Sequence, residues 1–411
     1  MKHLFLIGYV CLFILINEQV NACTSFIISG KYTADGKSIL YKNRDTGEMK
    51  NSLAIFNDGK YKYMGVVNST QKGWDKAIWG GYNETGFAII NTAAYNNNIG
   101  DTTKASGRDG VVMKMALKVC SSLEDFECFL DTLSKPRGVN SNYGVIDAHG
   151  GAAYYETGNF KYVKVDANDP IAAPNGIIIR TNHSMSADLS KGFGFNRFNN
   201  ATRIVNHAAK QKTLSPQFLM NAVSRSLYHP RIDRDLADNL PKNKEQAKYE
   251  FFMDFIPRIS TSSTMMMVSA RDAEHVEETM MWTILGFPLT SVAVPTWLSV
   301  GELPKVVAMS EDLQSPICTA ALTFKDECFP IKIDKGQNYI NFAVVMNQEK
   351  TGYMQLLKPI EDEIYDKANA LILEMESGSK TQKDILAYYQ WLDKFLVKSF
   401  KKTFNYNLLK K

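Results

Sequence analysis

The stretch Cys23-Thr24-Ser25-Phe26-Ile27-Ile28 decides how the rest of the chain is read. It has strand character from its first residues. It also follows Val20-Asn21-Ala22, a small-residue motif that closes an apolar run over residues 4–16 behind a basic start at Lys2. That pattern predicts an export signal over residues 1–22, removed by cleavage after Ala22. Cys23 then begins the mature chain, where its thiol shares a residue with a free α-amine whose ordinary pKa is about 8. A nucleophile is thereby supplied with its own general base.

Working outward, a turn at Ala34-Asp35-Gly36-Lys37 and a short apolar run predict a hairpin that ends in Lys42-Asn43-Arg44-Asp45. Two cations and a carboxylate thus arrive close to where the first strand begins. Further on, the turn Gly81-Tyr82-Asn83-Glu84-Thr85-Gly86 leads up a strand to Asn91. An apolar strand near residue 176 delivers Thr181-Asn182-His183, and Asn196-Arg197-Phe198 opens a helical pattern.

These motifs resemble the cysteine-type N-terminal-nucleophile hydrolases, in particular the choloylglycine hydrolase, penicillin V acylase and acyl-CoA:6-aminopenicillanate acyltransferase group. The resemblance rests on the initial Cys-Thr, the Asn-x-Asp pattern within Lys42-Asn43-Arg44-Asp45, the Gly-x-Asn-Glu-x-Gly turn, the Thr-Asn pair and the Arg-Phe pair. It implies an α+β chain folded as a four-layer αββα sandwich. It also implies catalytic roles for Cys23, Asp45, Asn91, Asn182 and Arg197, with Lys42, Arg44 and Tyr95 on the substrate side. Asn91 stands two residues nearer its turn than in bile-salt hydrolases, which preserves the strand face but leaves Tyr95 and Asn96 as alternatives. Arg203 is the alternative to Arg197. Lys42 replaces an arginine, keeping the charge and losing the planar fork.

The implied reaction is hydrolysis of a linear amide bond in a small N-acyl amide, with hydrolase and acyltransferase outcomes both open. Two other readings compete: an N-terminal-cysteine dipeptidase, and a non-catalytic secreted lipoprotein acylated at Cys23. No cofactor, phosphate-binding loop or metal motif is visible. The 47 basic and 43 acidic residues among 411 give a net charge of +4, which points to no nucleic-acid partner. The absence of a second long apolar stretch predicts no stable membrane insertion. The expected location is the periplasm or outside the cell, and the chain can be a monomer or a homo-oligomer.

The chain divides on this reading into the signal, a catalytic domain over 23–355 and a helical extension over 356–411. In the extension, apolar stripes at Ile364, Ala368, Leu371 and Met375 and at Ile385, Tyr388, Leu392 and Leu396 predict a helical hairpin, followed by a solvated lysine-rich tail. In an oxidising compartment the short spacings predict bridges between Cys120 and Cys128 and between Cys318 and Cys328. His149, in the glycine-rich turn Asp147-Ala148-His149-Gly150-Gly151, reads as a surface turn residue.

Overall fold

The first strand, β1 (Cys23–Ile28), is buried along its whole length, as is β2 (Ile39–Asp45). Strands without a solvent face must be covered on both sides, and this constraint organises the molecule. The computed structural model describes residues 22–69 and 73–409. The expected signal segment therefore lies outside the described residues, Ala22 excepted.

Seven further strands follow: β3 (Asn51–Phe56), β4 (Tyr63–Asn68), β5 (Gly80–Asn83), β6 (Ala88–Ala93), β7 (Ser141–Ile146), β8 (Ala152–Thr157) and β9 (Tyr162–Asp166). They pair antiparallel in chain order as a seven-stranded sheet. β10 (Ile177–Arg180) returns to pair with β1. Two short ribbons are made by β11 (Tyr228–His229) with β12 (Arg234–Asp235), and by β13 (Tyr249–Phe251) with β17 (Tyr339–Asn341). The chain then completes the first sheet with β14 (Thr261–Val268), β15 (Met280–Leu285) and β16 (Val294–Trp297), in the order β10-β1-β2-β14-β15-β16.

The two sheets lie face to face, with β1 and β2 over β6, β7 and β8. Helices α1 (Asp109–Val119) and α2 (Leu123–Thr132) cover the outside of the seven-stranded sheet, where Phe126 meets Tyr143 and Tyr155 edge-on. The outside of the six-stranded sheet takes α3 (Phe195–Gln211), α4 (Pro216–Ala222), α5 (Pro316–Cys328), α6 (Tyr353–Glu376) and α7 (Gln382–Phe404). This is the four-layer αββα sandwich that the resemblance implies.

α6 and α7 form the expected hairpin, with the Thr381–Asp384 capping box at the start of α7. They share the main core: Tyr365 stacks on Trp282 with ring centroids 4.7 Å apart, and the Tyr389 hydroxyl accepts the Trp297 N–H at 2.6 Å. The solvated tail is corrected here. α7 runs to Phe404, and Phe400, Phe404 and Tyr406 gather around Phe324. Aromatic residues among the lysines keep one stripe of this end buried, and the lysines face outward.

A bidentate pair, Arg225 with Glu361, ties the end of α4 to α6; Glu361 also accepts the Ala293 N–H. Both side chains are buried, so removing one leaves an unpaired charge inside the protein. Glu361→Ala is expected to cost about 3–5 kcal/mol of stability, measured by urea unfolding.

The expected disulfides do not form: all five cysteines among the described residues are free. Cys318 and Cys328 lie near the two ends of the 13-residue helix α5, about 15 Å apart along its axis at 1.5 Å per residue. A bridge requires Cα atoms within about 7 Å. Cys120 is buried against the α1–α2 core, and Cys128 is exposed on α2. Alkylation of the unfolded, unreduced protein is expected to label all four, and a peptide linking residues 318 and 328 would contradict the helix.

Candidate active site

Antiparallel pairing sets Cys23 opposite Arg44 and Ser25 opposite Lys42. Side chains alternate faces along a strand. Cys23, Lys42 and Arg44 therefore share the face between the sheets, while Thr24, Asn43 and Asp45 face the helical layer. The alternation separates the expected catalytic residues into two groups on opposite faces of one sheet.

The Cys23 nitrogen donates to Asn182 Oδ1 at 3.1 Å. In the uncut chain this nitrogen is a peptide amide, and it occupies the place of the α-amine that cleavage after Ala22 would create. Arg197, from the first turn of α3, donates to the Cys23 carbonyl at 2.5 Å, to Thr24 Oγ1 at 3.0 Å and to Asn182 Oδ1 at 2.7 Å. Asn182 itself donates to the Ala93 carbonyl at 2.9 Å, so β1, the end of β10, the end of β6 and α3 are locked together at one point. Arg203, the alternative, lies instead over the Tyr228 ring and bonds Asn200.

Asp45 does not receive the Cys23 nitrogen. It accepts from Arg258 Nε at 2.7 Å and from Thr261 Oγ1 at 2.6 Å. Arg258 was not singled out from the sequence, because it stands alone in an irregular segment with no motif around it. The register leaves Asp45 one step beyond Cys23, on the side from which residue 22 would depart.

Lys42 is 1% exposed. Its ammonium donates to the Trp79 carbonyl and to Asn91 Oδ1, both at 2.7 Å. Burial pulls its pKa down to about 8, against the pull of the neighbouring Cys23 thiol in the other direction. Arg44 is held by Asn51 at 2.6 Å and Asn68 at 2.9 Å and lies 4.5 Å over the Trp79 ring; burial draws it down to about 10. Its fork is committed to the fold and not to a ligand. Tyr95 packs edge-on against Phe193, and burial raises its phenol while Cys23, Arg258 and Arg197 all act on it electrostatically.

Asn91 has a different place from the one expected. Lysine only donates, so it fixes the amide oxygen of Asn91 toward itself, and the Asn91 amino group donates to Ser141 Oγ at 3.1 Å. Asn91 stands behind Lys42 and holds it. The alternative Asn96 clasps the 184–188 loop through Ser184 and Asp188.

The sequence motifs Asn68-Ser69-Thr70, Asn83-Glu84-Thr85, Asn182-His183-Ser184 and Asn200-Ala201-Thr202 each spell an N-glycosylation sequon, but all four asparagines are buried inside the fold. His149 is exposed in the β7–β8 turn. A cavity of about 460 Å³ opens near that turn, at the far end of β1, lined among others by Gly30, Lys31, His149 and Lys164. None of the residues around Cys23 lines it. Among the described residues no group of three or more His, Cys, Asp or Glu is placed to hold a metal ion, and no helix is long and apolar enough to cross a membrane.

A family model described as acyl-coenzyme A:6-aminopenicillanic acid acyl-transferase matches residues 33–224. The chain resembles that family. The match spans Lys42, Asp45, Asn91, Asn182 and Arg197 and begins after Cys23. Among solved structures, a variant of conjugated bile acid hydrolase from Clostridium perfringens aligns at 12% identity over 68% of this chain and 94% of its own, with a TM-score of 0.41. Penicillin V acylase from Agrobacterium tumefaciens aligns at 14% identity over 67% and 86%, with a TM-score of 0.38. A Caenorhabditis elegans ortholog of N-acylethanolamine-hydrolyzing acid amidase aligns at 13% identity over 49% and 88%, with a TM-score of 0.36. No curated protein matches the sequence.

Arg197→Lys tests the junction. The charge survives, but one ammonium cannot reproduce the planar fork that reaches Cys23, Thr24 and Asn182 together. Turnover is expected to fall about 100-fold, the loss typical of a reacting group displaced by about 1 Å, with the far-ultraviolet circular dichroism unchanged.

Proposed function

We propose that this chain is an exported amide hydrolase or acyltransferase that uses Cys23 as an N-terminal nucleophile. The observation that carries the reading is the Cys23 nitrogen held at 3.1 Å by Asn182, with Arg197 bound to both residues. A residue whose nitrogen and carbonyl are both clamped presents its thiol in one direction.

After removal of residues 1–22, the Cys23 amine takes the thiol proton, and the thiolate attacks the acyl carbon of an N-acyl amide. The developing oxyanion is stabilised by the Asn182 amide and by the Lys42 ammonium, which has three donors and has given two of them to Trp79 and Asn91. The Cys23 ammonium is oriented by Asn182 Oδ1, while Asp45, paired with Arg258, stands one register step beyond Cys23 and acts on it only as a nearby charge. The ammonium returns the proton to the departing nitrogen, leaving a thioester. Water, deprotonated by the same amine, releases the acid; an acceptor amine in place of water would yield acyl transfer. Every step uses groups of the chain, the substrate and the acceptor. The clamped nitrogen favours this reading over acylation of Cys23 as a lipid anchor, which would need a tether free of the fold, whereas Cys23 is buried at the start of a central strand.

The test is to determine the mature N-terminus by mass spectrometry and to assay the chain beginning at Cys23 on N-acyl amides, conjugated bile salts, penicillin V and dipeptides. Cys23→Ala is expected to abolish turnover with little change in thermal stability. A form carrying one additional alanine before Cys23 is expected to bind but not turn over, because its nitrogen becomes an amide that cannot accept a proton. Equal rates for the blocked and free forms, or a diacylglyceryl adduct on Cys23, would overturn the proposal.

A further inference from the structure

Lys42 is the first member of a buried chain of hydrogen bonds that leads away from the thiol. Its ammonium donates to Asn91 Oδ1 at 2.7 Å, the Asn91 amino group donates to Ser141 Oγ at 3.1 Å, and the Ser141 hydroxyl donates to Asp109 Oδ1 at 2.5 Å. Every donor points the same way. Such an arrangement is polarised along its length, each bond strengthening the next, and it runs from a cation to an anion. Asp109 opens α1, and its carboxylate also accepts the Asn140 N–H at 3.1 Å.

We infer that Asp109 is a positioning residue for the reaction at Cys23: through Ser141 and Asn91 it holds Lys42 as a protonated ammonium beside the thiol. The need for such a partner follows from burial. A desolvated lysine tends to lose its proton, and Lys42 is already drawn down to about 8. Four charged or ionisable groups act on it: the Cys23 thiol on β1, Arg44 and Asp45 on β2, and Asp109 on α1. Arg44 works against the ammonium. Asp45 favours it from the opposite face of the sheet and is engaged by Arg258. Asp109 is the carboxylate joined to Lys42 by a continuous set of bonds. Burial raises the Asp109 carboxyl while the field of Lys42 lowers it, so each charge sustains the other.

This inference rests on Cys23 as nucleophile, and the thiol can be read directly, without substrate. The experiment follows iodoacetamide labelling of Cys23 by peptide mass spectrometry between pH 6 and pH 10, with exposed Cys128 as an internal control. Asp109→Asn keeps an oxygen that can accept from Asn140 and Ser141 but removes the charge; Ser141→Ala breaks the chain and keeps the charge. Both are expected to slow labelling of Cys23 at pH 7 by about tenfold, the effect of a change of one unit in a coupled ionisation. Labelling should converge with the wild type near pH 10, where Lys42 is neutral in all three. Asp109→Glu should restore much of the rate. An unchanged rate in Asp109→Asn, or a deficit of the same factor at every pH, would overturn the inference, the second outcome marking a packing role alone. Failure of the nucleophile reading itself would show separately, as turnover that survives in Cys23→Ala.

Discussion

Buried positive charge around the first residue of β1 is the constraint on which the site depends. Lys42, Arg44 and Arg197 are almost wholly removed from solvent, and Arg258 joins them from the helical side. Isolated buried cations are costly unless they are paired or hydrogen-bonded. Each therefore has its own acceptors: Trp79 and Asn91 for Lys42, Asn51 and Asn68 for Arg44, Cys23 and Asn182 for Arg197, Asp45 for Arg258. Most of these acceptors are neutral amides and carbonyls. Neutral acceptors satisfy the hydrogen bonds and leave much of the positive field in place, which suits a thiolate and an oxyanion in a dry environment.

The sandwich makes this field possible. Because β1 and β2 are covered on both faces, a side chain on either face is buried, and period-two alternation can distribute the polar residues without exposing any of them. The inter-sheet face takes the thiol, Lys42 and Arg44; the helical face takes Asp45 and meets Arg197 and Arg258. The helices α6 and α7, which look like an appendage in sequence, belong to this covering layer through Tyr365 on Trp282 and Tyr389 on Trp297. They carry no group to the site but close the outer side of the sheet that carries it.

Asn182 shows how strongly the site couples to the fold. Its oxygen takes both the Cys23 nitrogen and the Arg197 guanidinium, and its amino group reaches the end of β6 at Ala93. A substitution there would release a strand start, a helix start and a strand end together. The alternation of roles between Asn91 and Asn182 has the same physical basis. Asn91 faces a buried lysine that fixes its amide orientation, whereas Asn182 faces the nitrogen of Cys23.

The sequence by itself marked the first hairpin, several further strands and the helical hairpin near the end, and it carried the resemblance that drew attention to Cys23, Lys42, Asp45, Asn182 and Arg197. Those features are local: hydrophobic period, turn chemistry and short motifs are written over a few neighbouring residues. Tertiary structure alone decided that Asp45 answers to Arg258, 213 positions away, that Asn91 supports Lys42, and that Ser141 and Asp109 continue that line. It also decided that the cysteine couples stay apart, since spacing along the chain does not say whether a helix runs straight between two thiols. The reason is physical. Alternation assigns a side chain to a face of its strand, but which layer lies over that face, and which buried charge waits there, depends on contacts between distant segments that leave no local mark.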